Sequence, residues 1–328
     1  MALKLLIRAA WIAAAAAAVQ AHAASASSYK GAIATDASTG AVLFEQNADL
    51  VSPPASMTKL MTFAVLFDEL MKRSITLDTP VTVTSEDAKV GLLKDSTAVW
   101  LKQGEVFPVE ELIYAMFIQS ANDAAYALAH KTGGTVGSFV AMMNAKAHEL
   151  GMFHSTFRTP HGFPPPSRRI ADGDLTTARD YSILCRYLLL HTNILKYTSV
   201  RSRAFGAGMR LQPVQMTNHN HLLGKTLGVD GLKTGFTGGA GFCISATAMR
   251  DGRRVIVVMM DSPDQRTRDL NTQELITKAF LLFPLGEKAF EPIQNGFPEP
   301  TRPSPAPPAA AASQDAGPVI HYPGPGGK

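Results

Sequence analysis

The sequence predicts an α/β (α+β) fold, with one antiparallel sheet assembled from both ends of the chain and helices filling the interval. Three observations carry this. Ala32-Ile33-Ala34-Thr35 and Ala41-Val42-Leu43-Phe44 flank a polar turn that ends in Gly40, the pattern of a β-hairpin. Near the other end, the apolar runs 241–248 and 253–260 are separated by the tight turn Asp251-Gly252. Between these pairs, 56–71, 109–131, 136–150 and 176–190 read as helices. Strands at both termini around a helical stretch imply a sheet closed by the two chain ends and carrying an inserted helical subdomain.

Taken in order, the chain opens on Lys4 and Arg8, an alanine-rich apolar run to Val19, and small residues at Ala21-His22-Ala23. That is the layout of a secretory signal over 1–23, with cleavage after Ala23 or Ala26. The run is shorter than the roughly 20 residues a spanning helix needs. After the hairpin, Pro53-Pro54 breaks the chain and Ser56 opens a helix that is apolar on most faces. Residues 80–106 read as short β segments with turns, and Gly151 stands at the C-terminal cap of the 136–150 helix. A last helix is expected at about Asn271 to Phe283. One domain over 24–290 is therefore expected, followed by a disordered tail over 291–328. From Pro298 onward the tail holds nine of the 21 prolines.

Composition narrows the function. With 328 residues, 46% hydrophobic and 18% charged, the chain is an ordinary globular one. Lys4 and Arg8 account for two units of the formal net charge of +4, and the remaining Lys and Arg form no stripe, so no nucleic acid partner is expected. Cys185 and Cys243 are the two cysteines. They could pair in an oxidising compartment, but both sit in apolar runs and read better as buried thiols.

The chemistry starts from Ser-x-x-Lys, a pattern expected by chance about once in a chain this long. It occurs twice. Ser27-Ser28-Tyr29-Lys30 lies at the cleavage region with no helix behind it. Ser56-Met57-Thr58-Lys59 opens a buried helix, where three-residue spacing puts Ser56 and Lys59 on one face. An alcohol needs a neighbouring base to become a nucleophile, and a desolvated lysine can be that base. Lys-Thr-Gly is also present twice. Lys131-Thr132-Gly133 is explained by a helix C-terminus. Lys233-Thr234-Gly235 leads into a strand, on a sheet edge that leaves backbone groups free for an extended peptide. Ser120-Ala121-Asn122 lies between two helical runs and, taken alone, places Ser120 as a helix cap.

In this order the three motifs resemble those of penicillin-binding proteins and serine β-lactamases. The surrounding text, Pro54-Ala-Ser-Met-Thr-Lys-Leu-Met-Thr62, Ser120-Ala-Asn-Asp-Ala-Ala125, Pro160-His-Gly162 and Asp230-Gly-Leu-Lys-Thr-Gly235, is most similar to the low-molecular-weight D-alanyl-D-alanine carboxypeptidases. The similarity runs over roughly 30–285 and implies a β-lactamase/transpeptidase-like fold. It also implies that Ser56 attacks the carbonyl between the terminal D-alanines of a peptidoglycan stem peptide, with Lys59 as base and Ser120 relaying a proton to the leaving D-alanine. Asn122 would hold the substrate amide or Lys59. Lys233 would add positive charge near Ser120 and Ser56, Thr234 and Arg268 would hold the terminal carboxylate, and the N–H groups of Ser56 and Phe236, after Gly235, would form the oxyanion hole. No cofactor or metal is implied, and β-lactams are expected to acylate Ser56.

Phe236 stands where the family often has His. Many relatives carry a further β-rich domain and an anchoring helix; here a Pro/Ala tail without an apolar face is expected to leave a soluble periplasmic enzyme. A class A β-lactamase would need a deacylating carboxylate, and 155–175 holds only Asp172 and Asp174. Transpeptidation differs only in the acceptor and stays open. A non-catalytic peptidoglycan-binding module would have no need of a nucleophile beside a base.

Overall fold

The computed structural model describes residues 28–283 and 289–293; the expected signal segment and the tail beyond 293 lie outside the described residues. In chain order come β1 (Gly31–Asp36), β2 (Val42–Gln46), a 3-10 turn (Ala55–Thr58) and α1 (Lys59–Met71). Next are β3 (Pro80–Thr82), α2 (Ser85–Gly91), β4 (Val106–Pro108), α3 (Val109–Ile118), α4 (Asn122–Gly133) and α5 (Val136–Glu149). Then follow α6 (Ala178–His191), α7 (Leu195–Thr198), β5 (Ser202–Phe205) and β6 (Val214–Thr217). The order closes with β7 (Val229–Thr237), β8 (Gly241–Arg250), β9 (Arg253–Ser262) and α8 (Gln265–Leu281).

The antiparallel sheet from both termini is present, in the order β2-β1-β9-β8-β7. Its seam is β1 against β9, with Ile33 opposite Val258 and Thr35 opposite Ile256. Alternation along β9 explains why that strand reads as a continuous apolar run. Val255, Val257 and Met259 face α8, with Leu275, Ile276 and Ala279 behind them. Ile256, Val258 and Met260 face the opposite way, into the core shared with α1, α3, α4, α5 and α6. Burial of both faces removes the polar alternation of a half-exposed strand. Within the larger core Phe63 of α1 packs edge-on to Phe117 and Tyr197, at ring separations of 5.4 and 5.7 Å.

Four local expectations need correction. The segment 80–106 contains a helix, α2, held by a reciprocal cap in which Thr84 Oγ1 accepts from Asp87 N and Thr84 N donates to Asp87 Oδ2. The single run 109–131 is two helices, because Ser120 adopts a left-handed φ of 60° that no α-helix continues through. Ser120 is not the cap of α4 either; Ala121 is, without a side-chain bond. The last helix begins at Gln265, six residues early, with Asp264 accepting from Thr267 N. Two glycine readings hold. Gly134, at φ 71°, ends α4 just past Lys131-Thr-Gly133, and Gly151, at φ 81°, follows α5. Cys185 and Cys243 are both buried and free.

Candidate active site

Ser56 sits in the 3-10 turn, so the residue that opens the α-helix proper is Lys59. The geometry that i,i+3 spacing calls for is present: Lys59 Nζ lies 3.0 Å from Ser56 Oγ. Two more contacts complete the surroundings of the amine, Asn122 Oδ1 at 2.7 Å and the carbonyl oxygen of His161 at 2.8 Å. Lys59 is 0% exposed. Burial first, then the Lys233 charge, holds its amine well below the ordinary lysine range, against weaker opposite pulls from Asp123 and Asp174.

That set of partners has a chemical meaning. A neutral amine has two N–H bonds and one lone pair. Two of its neighbours, the Asn122 and His161 oxygens, are pure acceptors, and the third is a hydroxyl that can donate. Both forms can satisfy all three: the ammonium donates to each oxygen, and the neutral amine donates to the two carbonyls and can accept from the Ser56 hydroxyl. The Asn122 amide is oriented by its other end, which donates from Nδ2 to Ser96 Oγ at 3.0 Å.

Each partner is itself held. The left-handed Ser120 turns the chain so that Asn122 begins α4 facing Lys59; Thr97 Oγ1 donates to Ser120 O at 2.8 Å, and Asn122 N donates to Thr97 O at 2.8 Å. Ser120 is buried, and its hydroxyl forms no hydrogen bond among the described residues. Beneath α4, Asp123 accepts from Val99 N and Leu101 N, which fixes the 97–101 segment to the same helix. Opposite, buried Asp174 accepts from Thr58 Oγ1 and Thr159 Oγ1, both at 2.9 Å, and from the amides of Arg158 and Thr159. Asp174 therefore ties the 158–162 turn to the Ser56 turn and aims the His161 carbonyl. The sequence reading passed over Asp174 and His161 O as parts of the site. Pro160-His-Gly162 was the available signal, taken only as family-like text.

Lys233, Thr234 and Gly235 lie on β7, the edge strand. Gly235 is required by what lies behind it. A Cβ there would meet Pro54 O at 2.6 Å and Ser56 N at 3.2 Å, so the strand backbone lies directly against the Ser56 turn. Lys233 is buried, donates to Thr234 O at 2.9 Å, and is pushed down to about 7 by burial and then by the Arg268 charge. Arg268, in the first turn of α8, is buried with its guanidinium held by Asp269 at 2.7 Å. Thr234 is buried, while Phe236 is 56% exposed and stacks on Phe242 at 4.1 Å. His219, unremarked in the sequence, lies beside these cations; burial and then the Lys233 charge push it down to about 4, which keeps the imidazole neutral. The discarded Lys30 pairs instead with Asp261 at 2.5 Å. Among the described residues no cluster suited to a metal ion occurs, and no helix is long and apolar enough to cross a membrane.

Comparison with known proteins identifies the family. The family model described as D-alanyl-D-alanine carboxypeptidase matches residues 15–264. The D-alanyl-D-alanine carboxypeptidase DacC of Escherichia coli is 36% identical over 254 residues, 76% of this chain and 61% of its own length. DacF of Bacillus subtilis is 31% identical over 251 residues, 76% of this chain and 62% of its own. Among solved structures, penicillin-binding protein D2 from Listeria monocytogenes in its ampicillin-bound form matches with a TM-score of 0.67 and 30% identity, over 77% of this chain and 97% of that one. Penicillin-binding protein 5 from Haemophilus influenzae matches with a TM-score of 0.70 and 29% identity, over 77% and 71%. The chain spans a little over 60% of the length of these two curated relatives. With a family match covering most of its length and the penicillin-binding/transpeptidase fold, the chain belongs to the D-alanyl-D-alanine carboxypeptidase family.

Proposed function

We propose that the protein is a serine-type D-alanyl-D-alanine carboxypeptidase that removes the terminal D-alanine from peptidoglycan stem peptides. The observation that carries this reading is the buried Lys59 amine, bonded to two carbonyl oxygens and to Ser56 Oγ. In the proposed cycle Ser56 Oγ attacks the carbonyl between the two D-alanines as Lys59 Nζ takes its proton. The oxyanion forms against the N–H groups of Ser56, which as an early amide of its turn has no intrahelical acceptor, and of Phe236. Ser120, with its hydroxyl uncommitted, passes a proton to the departing D-alanine nitrogen. Lys233, Thr234 and Arg268 receive the terminal carboxylate, and water then releases the acyl chain from Ser56.

A β-lactam places a strained amide at the same point, and the ampicillin-bound Listeria relative supports its capture here. The Asp174 carboxylate, occupied by four hydrogen bonds, is not free to activate a deacylating water, which speaks against the β-lactamase reading. The expected place of work is the periplasm, reached by the signal segment. The test is incubation with a short acyl-D-Ala-D-Ala peptide and assay of free D-alanine, together with mass analysis of the Ser56 peptide after penicillin treatment. Stoichiometric adduct without D-alanine release would leave a penicillin binder and sink the carboxypeptidase.

The pH profile follows from the two lysines. Lys59 must be neutral to act, so the rate rises as it loses its proton. Lys233 must be charged to hold a carboxylate, a contribution present below about 7 and lost above it. The ratio kcat/KM should therefore be bell-shaped, with an alkaline limb near 7. A bound carboxylate favours the ammonium, so the limb of kcat should lie higher. Lys233→Arg should move the kcat/KM limb upward; a limb that stays put would remove Lys233 from this role.

A further inference from the structure

Beside the nucleophile turn lies a cavity of about 350 Å³ whose lining includes Ala55, Gly162, Phe163, Ile170 and Thr237. Its far wall is the segment 163–170, which bears Arg168 and Arg169 and folds back until Ile170 meets Gly239; a Cβ on Gly239 would lie 3.4 Å from Ile170 Cγ1. We propose that this cavity is the subsite for the substrate residue that precedes the two D-alanines, and that it selects an aliphatic side chain ending in a carboxylate. The proposal rests on the carboxypeptidase reading above and extends it to the donor side.

Direction along β7 supplies the first argument. The terminal carboxylate is assigned to Lys233, Thr234 and Arg268, and the scissile carbonyl to the N–H groups of Ser56 and Phe236. A substrate with those two points fixed runs past Phe236 toward Thr237, Gly238 and Gly239, where the cavity opens. β7 ends at Thr237 and the chain turns away at 238–240, so an extended substrate that continues along the strand direction comes to the mouth of the cavity with its next residue. Gly238 adds no wall, since a Cβ there would meet nothing within 4 Å.

Chemistry of the lining supplies the second. Phe163, Pro164, Pro165 and Ile170 present an apolar surface for methylene groups, and the polar ends available are the two guanidinium groups. Arg168, held at a φ of 55°, has no ion-pair partner among the described residues. Arg169 has only an exposed contact to Asp172, at 3.7 Å, which an incoming carboxylate can replace. The acids nearby offer a cation little: Ser167 Oγ already donates to Asp172, and the Asp174 oxygens hold the nucleophile turn. An apolar chain with a negative end matches this lining, and one with an ammonium end is repelled.

The test compares three acyl-X-D-Ala-D-Ala peptides in which X is 2-aminoadipate, norleucine or lysine, read as kcat/KM for D-alanine release. The expected order is aminoadipate, norleucine, lysine, with about fivefold between neighbours, the size of one exposed charge pair. The preference should shrink as salt is raised. Charge reversal in Arg168→Glu/Arg169→Glu should invert the order in favour of lysine. Equal kcat/KM for all three, or an order unmoved by the double reversal, overturns the subsite. Failure to release D-alanine from any peptide, norleucine included, overturns instead the carboxypeptidase reading beneath it.

Discussion

A Ser56→Ala variant should release no D-alanine above background and carry no penicillin adduct, and Lys59→Met should slow acylation by about 10²–10⁴, the usual range for a positioned base. Methionine keeps the length and apolar character of the lysine stem but removes the lone pair, so the second variant separates base from filler. Its cost to stability is mixed. Loss of Nζ leaves the Asn122 and His161 oxygens without their donor, at about 1–3 kcal/mol each. Against that, a fully buried amine no longer has to be desolvated. Stopped-flow capture of a chromogenic cephalosporin gives the acylation rate directly. A Lys59→Met rate within tenfold of the parent would show that the proton leaves Ser56 by another route.

Gly162→Ala should be the most damaging single-methyl change in the site. Gly162 holds a φ of 78°, which costs an alanine about 1–2 kcal/mol. The added Cβ would lie 1.8 Å from Ala55 O and 2.9 Å from Thr58 Oγ1, and the first of these is backbone that cannot swing away. Either the 158–162 turn or the nucleophile turn has to move. The sum is about 3–5 kcal/mol, which lowers the melting temperature by roughly 10 °C in a domain of this size. Because Thr58 and the His161 carbonyl move with it, acylation should fall even in protein that remains folded. A melting temperature within about 2 °C of the parent with normal acylation would mean that the two turns are not locked together.

How much of this was legible in the sequence depended on distance along the chain. Ser56 and Lys59 are three residues apart, so helical spacing alone brings them together. Strands β8 and β9 announce themselves by β-branched runs around Asp251-Gly252. Ser120 and Asn122 were singled out only by the company of the other motifs, because a left-handed serine between two helices leaves no periodic trace. Helix α2 is seven residues long, too short to show a period, and only its Thr84/Asp87 cap could have revealed it. Asp174 reaches Thr58 across 116 residues, and the His161 oxygen reaches Lys59 across 102. Contacts at that separation are products of the fold, and one of them is made by a backbone atom that every residue type possesses.

The place of β7 in the sheet also sets when the groove beside Ser56 is complete. Ser56 and Lys59 are made early, but the strand that leans on their turn, with Gly235 against Ser56 N, is hydrogen-bonded through β8 and β9 to β1. Some 200 further residues must be synthesised before that support exists, about 10–40 s at ordinary translation rates. Until then the chain carries a serine and a lysine but no groove to bring an amide to them.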